Sequence, residues 1–324
     1  MSTATLNADE SLTREKAAQP SNNIDNLEAL LHILPAWIQE IIEANVVGLE
    51  EVALDLDRPL TIMCADGHRQ FERCVTKNDL HYLIHRLGGF REDNRAGLEG
   101  TLHRISAIRD RYGEIVGATI RIGRFLKGIA EPLRNLLLSS DESLMLIGAP
   151  GVGKTTLLRD IVRILAEEQG PKVVVVDTSN EIGGDGKRPH PGLGTARRLQ
   201  VPEPSQQGKI LMEALANHGP RSLVIDELGY KRDVENAVTI VQRGVKMIAT
   251  VHGRTLAKVV YNPDLAPLVG GIDATQQRRL SLSVFDAAVE VWGKEKLYAF
   301  ENLADAVDSV LANKQPQGQW VEAA

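Results

Sequence analysis

The sequence has few cysteines and no long apolar run, and both shortages exclude classes of protein. Its two cysteines, Cys64 and Cys74, are too few for a disulfide framework and are not spaced as zinc ligands. No stretch of about eighteen apolar residues occurs, so hydropathy predicts no membrane span, and the first residues lack the apolar core of a signal peptide. We therefore expect a cytoplasmic protein in a reducing compartment.

The chain also lacks an excess of positive charge. Its 43 acidic and 37 basic residues give a formal net charge of −6, which argues against a wholly basic nucleic-acid-binding surface, although local basic patches are compatible with it. The 324 residues suffice for about two domains with a sizeable core. Composition therefore predicts an ordinary globular protein and leaves its chemistry open.

The pattern along the chain divides it into four parts. Residues 1–22 are polar and interrupted by Pro20, which predicts a disordered tail. Residues 23–138 mix helical and strand patterns and predict a small mixed α/β domain. Residues 139–302 predict a second α/β domain, and residues 303–324 predict a helix followed by a polar tail.

The first of these domains shows ordinary signals for its elements. Apolar residues recur at three- and four-residue steps over residues 27–42, which predicts one helix. Short strands are predicted on both sides of a turn at Pro59. A further helix is predicted with Thr76 as its N-cap and Gly88 near its end, followed by two strands joined by a turn around Gly113. None of these elements by itself indicates chemistry.

The second domain alternates short, continuous apolar runs with amphipathic stretches. Continuous apolar strands suit a parallel sheet that is buried on both faces, with helices as the crossovers. We therefore predict a mainly parallel sheet in a fold of the P-loop or Rossmann kind. Its predicted strands are the segments LMLIG, KVVVVDT, SLVIDEL and VKMIATVH.

A phosphate-binding motif follows the first of these strands. Gly148, Gly153, Lys154 and Thr155 match G-x-x-x-x-G-K-[ST]. The glycines allow a tight turn whose N–H groups point at an anion, the lysine reaches the outer phosphates, and the threonine hydroxyl ligates Mg²⁺. A dinucleotide-binding fingerprint needs G-x-G-x-x-G and has no use for the lysine. The predicted nucleotide-binding residues are Gly148, Ala149, Pro150, Gly151, Val152, Gly153, Lys154, Thr155 and Thr156.

Carboxylates for the metal and for water follow two of the other strands. SLVIDEL ends in Asp226, which we predict holds Mg²⁺ through its water shell, and Glu227, which we predict polarises the attacking water. Asp177, Asn180 and Glu181 follow another buried strand and are expected at the same edge of the sheet, within reach of the γ-phosphate. The spacing leaves open whether Glu181 or Glu227 is the principal base, and we favour Glu227.

Basic and imidazole groups outside the motif allow several interpretations. Arg197 and Arg198 are either arginine fingers that reach a neighbouring subunit's nucleotide, contacts to a polyanion, or a solvated charge pair. His252 lies just past a buried strand, where it is either a sensor of the γ-phosphate or an ordinary loop residue. The sequence pattern alone does not choose between these roles.

Taken together, the motifs resemble a known family. The sequence is similar to the ATPase domain of stage III sporulation protein AA, and closer still to plastid and cyanobacterial P-loop ATPases that carry a C-terminal single-strand-binding module. The resemblance covers most of residues 45–312. The segments that carry it are TLHRISAIRDRYGEIVGATIRIGR, GAPGVGKTTLLRD, VVVVDTSNEIGGDG, LVIDELG, GVKMIATVHGRTL and NPDLAPLVGGI.

More distantly, the order of these motifs is similar to that of the type II and type IV secretion ATPases, which work as hexameric rings. That resemblance implies a RecA-like P-loop fold, a homo-oligomeric ring, Glu181 as an acidic-box residue and His252 as a histidine-box residue. It also implies that Arg121 and Arg124 approach nucleotide across a domain or subunit boundary, although exposed strand ends explain both arginines equally well. ATP is the implied nucleotide, and no guanine-reading N-K-x-D motif occurs.

The resemblance leaves the biological role open. The function we predict first is a Mg²⁺-dependent ATP hydrolase that moves or assembles a protein partner, as the secretion ATPases do. The alternatives are a nucleic-acid-dependent ATPase, as in the plastid-type relatives, and a slow nucleotide-gated switch. Those relatives bind single strands through an R-x-x-x-H helix that we do not find here, and the acidic net charge further weakens the nucleic-acid interpretation.

Overall fold

Two large sheets organise the chain, one before the P-loop motif and one around it. The computed structural model describes residues 25–322, with the exception of residues 230, 274 and 294–295. The predicted disordered tail, residues 1–22, lies outside the described residues. Within them, the strands form a six-stranded sheet, an eight-stranded sheet and a two-stranded ribbon.

The six-stranded sheet is antiparallel throughout, with the strand order β3-β2-β1-β6-β5-β4. Three helices share its hydrophobic core, in which Ile38, Leu83 and Ile120 are fully buried. The elements of this part are α1 (Leu27–His32), α2 (Ala36–Ala44), β1 (Leu49–Asp55), β2 (Pro59–Cys64), β3 (Gly67–Cys74), α3 (Lys77–Leu87), β4 (Arg95–Gly97), β5 (Arg104–Arg109) and β6 (Ile115–Arg121).

One predicted helix of this part is confirmed as α3, and the other is replaced by two helices, α1 and α2. The single helix predicted over residues 27–42 is wrong, because α1 ends at His32 and α2 begins at Ala36. Pro35 lies between them, and a proline disfavours the helical conformation of the residue before it. Helix α3 is as predicted, since Thr76 caps it in a capping box with Asp79 and Gly88 ends it in the left-handed conformation.

Two strands of this sheet gave no clear signal in the sequence. Strand β3 reads GHRQFERC and lies at the sheet edge with most of its side chains exposed, so it lacks the apolar alternation by which strands are recognised. Strand β4 has only three residues. The predicted pair around Gly113 is confirmed as β5 and β6, and the pair around Pro59 is confirmed as β1 and β2.

The remainder of the chain alternates strands and helices around the second sheet. Short 3₁₀ turns at Glu131–Leu133, Gly170–Lys172, Pro191–Leu193, Pro204–Gln206 and Ala266–Val269 connect some of them. The elements are α4 (Arg134–Leu138), β7 (Leu144–Gly148), α5 (Lys154–Gln169), β8 (Val173–Asp177), β9 (Arg197–Gln200), α6 (Gln207–His218), β10 (Ser222–Ile225), α7 (Lys231–Gln242), β11 (Lys246–His252), α8 (Leu256–Val260), β12 (Ile272–Asp273), β13 (Arg278–Arg279), β14 (Ala287–Gly293), β15 (Lys296–Phe300), α9 (Leu303–Leu311) and β16 (Gln319–Glu322).

The eight-stranded sheet has the order β16-β15-β14-β7-β11-β10-β8-β9. Neighbouring strands from β14 to β9 pair in parallel, whereas β15 and β16 extend the sheet in antiparallel fashion. The four predicted strands are β7, β8, β10 and β11, and every residue of the first three is buried. Among the strands of the described residues, parallel pairing occurs in this sheet, while an isolated parallel bridge joins Leu56 and Val75 beside the first sheet. The predicted mainly parallel sheet therefore describes the second sheet alone, and the fold as a whole is mixed α/β.

The end of the chain differs from the predicted polar tail. The helix expected after residue 302 is α9, but residues 319–322 form strand β16 on β15. The rings of Trp320 and Tyr298 lie 5.1 Å apart across this pair. Local composition did not indicate the strand, because what orders it is pairing with β15.

The connection between the two sheets is fixed to the helix that follows the P-loop. The fully buried carboxylate of Asp160 on α5 accepts hydrogen bonds from the backbone N–H groups of Gly128 and Ala130 at 3.0 and 2.8 Å. Arg163 pairs with the same carboxylate at 2.6 Å. Farther along, Gly184 has a positive φ of 78°, and a Cβ atom there would overlap the carbonyl oxygen of Thr101. The two sheets therefore meet closely next to the P-loop.

Candidate nucleotide-binding site

The P-loop connects β7 to α5 in the conformation that its glycines require. Gly151 and Gly153 have φ values of 76° and 108°, in the left-handed region that favours glycine. Gly148 ends β7, and a Cβ atom there would lie 3.0 Å from the carbonyl oxygen of Val291. Helix α5 begins at Lys154, directly after this turn. The loop amides and the positive end of the helix dipole are thus available to an anion.

A cavity of about 760 Å³ opens in front of this loop, and both sheets contribute to it. The P-loop, the carboxyl ends of the neighbouring parallel strands and the end of β6 meet here, as expected for an α/β sheet. All the predicted catalytic and metal-binding residues line the cavity. The lining residues discussed below, predicted or not, are Lys154, Thr155, Thr156, Arg159, Asn180, Glu181, Asp226, Glu227, His252, Arg104 and Arg121.

Lys154 is folded back on its own loop. Its Nζ donates hydrogen bonds to the carbonyl oxygens of Gly148 at 2.6 Å and Ala149 at 3.0 Å. Burial lowers the pKa of its ammonium group, against an opposing effect of the nearby Glu227 carboxylate. The Lys154 amino group is therefore held against the loop that follows β7.

Glu181 connects the P-loop to the first sheet. The Thr155 hydroxyl donates to its Oε2 at 3.4 Å, and Nη1 of Arg104 donates to its Oε1 at 3.2 Å. Sequence reasoning missed Arg104. Strands β5 and β6 place Arg104 directly opposite Arg121. The predicted turn around Gly113 would have indicated this pairing once Arg121 had been singled out.

Asp226 lies buried at the carboxyl end of β10. Its Oδ2 accepts a hydrogen bond from the backbone N–H of Ser179 at 2.7 Å. Its Oδ1 is buried, and no donor among the described residues reaches it in hydrogen-bonding geometry. Burial, reinforced by the nearby carboxylate of Asp177, raises the pKa of Asp226 to about 7. This unpartnered oxygen is a candidate ligand for a cation.

Glu227 and His252 form a contact that the sequence did not indicate. Oε1 of Glu227 lies 2.8 Å from Nε2 of His252, and both side chains are about half exposed toward the cavity. The backbone carbonyl of Glu227 accepts a hydrogen bond from Gln207 at 2.9 Å. The two predicted residues are thus adjacent, although they lie at the ends of different strands.

Asp177 has a different place from the one expected. Its carboxylate is fully buried and does not line the cavity, so the expectation that it reaches the γ-phosphate is wrong. It accepts hydrogen bonds from the backbone N–H groups of Glu181, Ile182 and Gly183 at 3.0, 3.2 and 2.8 Å. Burial raises its pKa. Asn180, by contrast, lines the cavity in a left-handed conformation with φ of 54°.

The four predicted arginine candidates do not share one location. Arg121 lines the cavity and lies 3.6 Å from Glu51. Arg124 is outside the lining and donates to the carbonyl oxygen of Leu49. Arg197 is exposed on β9, and Arg198 donates to carbonyl oxygens within the loop that precedes β9, including that of Gly183 at 3.0 Å. Neither residue of the β9 pair lines the cavity.

Comparison with known proteins gives the family. Residues 95–294 match the family described as sporulation stage III, protein AA. The chain belongs to this family. It is 40% identical over 310 residues to the uncharacterized protein ycf45 of Porphyra purpurea, covering 90% of this chain and 55% of that protein. It is also 40% identical over 325 residues to SEEDLING PLASTID DEVELOPMENT 1 of Arabidopsis thaliana, covering 95% and 47%.

A bacterial member of the stage III sporulation protein AA family is more distant. The stage III sporulation protein AA of Bacillus subtilis is 27% identical over 262 residues, covering 74% of this chain and 85% of that protein. The chain spans about half the length of the ycf45 and Arabidopsis relatives. The activity and partners of those whole proteins therefore do not transfer to it directly.

Solved structures show the same fold at low sequence identity. The pilus retraction motor PilT, solved with bound ADP, aligns with a TM-score of 0.58 at 14% identity and covers 85% of this chain and 86% of PilT. The ATPase DotB of Legionella pneumophila aligns with a TM-score of 0.51 at 14% identity, covering 86% and 84%. This member of the stage III sporulation protein AA family thus shares its fold with the pilus retraction motor PilT and the ATPase DotB.

In the part of the chain that the structure describes, no three His, Cys, Asp or Glu side chains come together as ligands of one metal ion. Among the same residues, no helix is both long and apolar enough to cross a membrane.

Proposed function

We propose that the protein binds Mg²⁺-ATP in this cavity and hydrolyses it. The observation that carries the proposal is the convergence of one P-loop and three further strand ends on a single cavity. Lys154 and Thr155 follow β7, Glu181 follows β8, Asp226 and Glu227 follow β10, and His252 ends β11. This set supplies phosphate binding, metal binding and water orientation, which phosphoryl transfer to water requires.

The residues present fit a magnesium ion. Asp226 carries a buried oxygen without a hydrogen-bond donor, and the Thr155 hydroxyl faces the same cavity. Mg²⁺ in nucleotide sites commonly takes only one or two protein oxygens, because substrate phosphates and waters complete its shell. We infer that Thr155 and Asp226 hold Mg²⁺, which when bound neutralises charge on the β- and γ-phosphates.

The protein groups have separate tasks in this proposal. Residues 148–156 and the Lys154 ammonium hold the phosphates. Glu227 orients and polarises the attacking water as the principal base, and Glu181 has a supporting role beside Thr155. His252, in contact with Glu227, senses the γ-phosphate.

The first sheet also contacts the cavity, and this supports a coupling function. Arg104 and Arg121 come from β5 and β6 and face the P-loop across the cavity. Arg121 acts on nucleotide from the same or a neighbouring subunit, while Arg124, Arg197 and Arg198 have no place in the cavity of their own chain. A nucleotide bound here would contact both residues 23–138 and residues 139–302. Loss of the nucleotide would therefore let these two parts move against each other.

We therefore propose that hydrolysis moves or assembles a protein partner, with the chain working as a homo-oligomeric ring, such as a hexamer, in the cytoplasm. The fold shared with a pilus retraction motor and with the ATPase DotB supports this class of function. Residues 303–324 complete the second sheet through β16 and belong with residues 139–302 in this proposal.

The test is steady-state ATP hydrolysis by the purified protein with Mg²⁺, alone and with single-stranded DNA or RNA. We expect basal hydrolysis that nucleic acid does not stimulate. The control is Lys154→Ala, which should retain its circular dichroism spectrum and lose roughly 100-fold or more in kcat, because transition-state charge is no longer neutralised at the loop. Equal turnover in this variant would refute the site. Strong stimulation by single strands would favour the nucleic-acid-dependent alternative, and turnover slower than about one per minute would favour the switch.

A further inference from the structure

Arg159 is a buried cation on the helix that follows the P-loop, and the function proposed above gives it no task. It lies one and a half turns after Lys154 on α5, is 7% exposed and lines the cavity. Its partners are carbonyl oxygens of the backbone: Nε donates to Ile182 at 2.9 Å, Nη2 to Glu181 at 2.5 Å and Nη1 to Arg124 at 3.3 Å.

These bonds differ from those of the other buried arginine on the same helix. Arg163 pairs with the carboxylates of Asp160, Glu131 and Glu167 at 2.6–2.7 Å. Within the described ranges, no carboxylate lies close enough to Arg159 to form an ion pair with it. Burying an arginine without an ion-pair partner is costly, and burial lowers the pKa of Arg159 to about 10 against the opposing charges of Asp177, Asp25 and Glu181. The N–H groups of the Arg159 guanidinium therefore bond to backbone carbonyl oxygens.

The segment that Arg159 contacts is held from its other side by Asp177. That carboxylate accepts the N–H groups of Glu181, Ile182 and Gly183, while Arg159 binds the carbonyl oxygens of Glu181 and Ile182. The peptide groups of residues 181–183 therefore lie between a buried anion and a buried cation. Each charge is stabilised by the peptide dipoles that face it.

This arrangement fixes the backbone of Glu181 without using its side chain. The carboxylate of Glu181 is left to contact Thr155 and Arg104, as described above. The third bond of Arg159, to Arg124, reaches the connection that leads from β6 toward the P-loop domain. One side chain thus joins the P-loop helix, the Glu181 segment and the link to the first sheet.

Building on the proposed ATPase function, we propose that Arg159 is a positioning residue that holds Glu181 beside the Thr155 hydroxyl and ties this geometry to the link between the sheets. Lysine cannot reproduce its action, since an ammonium group lacks the planar fork that reaches three carbonyl oxygens at once. Residues 181–183 would lose one of their two sets of bonds, and Glu181 would sample other positions.

The experiment compares four variants: Arg159→Lys, Glu181→Gln, the double variant, and Arg163→Lys as a matched control on the same helix. We expect Arg159→Lys to lower kcat by about 10- to 100-fold with less than a threefold change in the KM for ATP. The double variant should lie within about twofold of Glu181→Gln, because two residues acting through one contact are not additive. Arg163→Lys should leave kcat within about twofold of wild type, whatever its effect on melting temperature.

Three outcomes separate the two proposals. If wild type hydrolyses ATP and the double variant loses kcat by the product of the two single losses, the role of Arg159 is overturned. The ATPase function would then still stand. A Glu181→Gln variant with wild-type kcat would overturn the role of Arg159 as well. Wild-type turnover no higher than that of Lys154→Ala would instead refute the ATPase function.

A readout without nucleotide tests the positioning directly. Amide hydrogen exchange of residues 178–188 should be at least tenfold faster in Arg159→Lys than in wild type, and unchanged in Arg163→Lys. Equal exchange of residues 181–183 in Arg159→Lys and wild type would overturn the inference even if the protein had no ATPase activity.

Discussion

Nε2 of His252 lies 2.8 Å from Oε1 of Glu227, although His252 ends β11 and Glu227 follows β10. These strands are parallel neighbours, with Ile225 opposite Ala249. Their carboxyl ends therefore meet at the same edge of the sheet, in the cavity beside the P-loop. The proposed base, Glu227, and the His252 imidazole are thus in contact where the terminal phosphate is proposed to bind.

The first prediction concerns this pair. Glu227→Gln is expected to lower kcat by about 10²- to 10⁴-fold, the range for loss of a general base. His252→Ala should lower it by roughly tenfold, since Glu227 remains but loses the partner that orients it. Single-turnover hydrolysis with saturating Mg²⁺-ATP measures both. If Glu181→Gln proved far more damaging than Glu227→Gln, the assignment of the principal base would have to be reversed.

The second prediction follows from the buried carboxyl of Asp226. Its pKa rises from 3.8 to about 7 in the folded protein. Between these values the unfolded chain has lost a proton that the folded chain keeps, so the free energy of unfolding falls as pH rises from about 4 to about 7. The stabilisation is complete below pH 4 and absent above about pH 7.

The measurement is the melting temperature of the nucleotide-free protein across this pH range. Asp226→Asn should remove the decline and raise the melting temperature at pH 8, by about 2–4 °C for each kcal/mol recovered. The exposed Glu213→Gln serves as the control and should follow the wild-type curve. A decline of unchanged size in Asp226→Asn would show that another group causes it.

The third prediction addresses the contact between the sheets. Arg104→Gln removes the ion pair to Glu181, which is 3.2 Å long, and one of the two arginines that the first sheet directs at the cavity. We expect kcat/KM for ATP to fall by about 10- to 100-fold, as for loss of a cation that stabilises the transition state. Arg109→Gln is the control on the same strand, because Arg109 bonds Asn94 and Gly113 away from the cavity. Wild-type kinetics for Arg104→Gln would contradict a role of the first sheet in catalysis.

The fourth prediction tests how tightly the two sheets meet. Gly184→Ala combines a left-handed backbone with overlap between the new Cβ and the Thr101 carbonyl, whereas Gly113→Ala has the same kind of backbone and open space. The alanine at position 113 should cost about 1–2 kcal/mol in stability. The one at position 184 should cost more, and should also lower kcat, because the loop carrying Glu181 must shift. Equal melting temperatures for the two variants would contradict close packing at Gly184.

Much of the site was predictable because its signals are local. Gly151 and Gly153 of the P-loop have left-handed conformations that favour glycine, and α5 begins at Lys154 directly after them. Continuous apolar runs indicated the buried strands, and residues just after parallel strands must share one edge of the sheet. This geometric rule placed Glu181 near the nucleotide site without any knowledge of contacts, and the structure has Asp226, Glu227 and His252 at the same cavity.

Other features depended on partners that are distant in the sequence. Asp177 and Asp226 both lie at the carboxyl end of a buried parallel strand. The Asp177 carboxylate binds backbone amides and does not line the cavity, whereas Asp226 lines it. The polar strands β3 and β16 are ordered by the strands they pair with, and local composition does not reveal that pairing. Apolar residues that recur every 2 positions in a strand or about every 3.6 in a helix show which face is buried. They do not show which other element packs against that face.

The sequence by itself thus determined the phosphate-binding loop, the central strands and the acidic residues at their ends, because the signal for each lies within a few neighbouring residues. Only the tertiary structure decided that Arg104 reaches Glu181 and that Arg159 holds its backbone. These contacts join residues 77 and 22 positions apart in the chain. The first contact exists because the antiparallel first sheet packs beside the P-loop, and the second because α5 lies against the loop that follows β8. No local pattern encodes either packing.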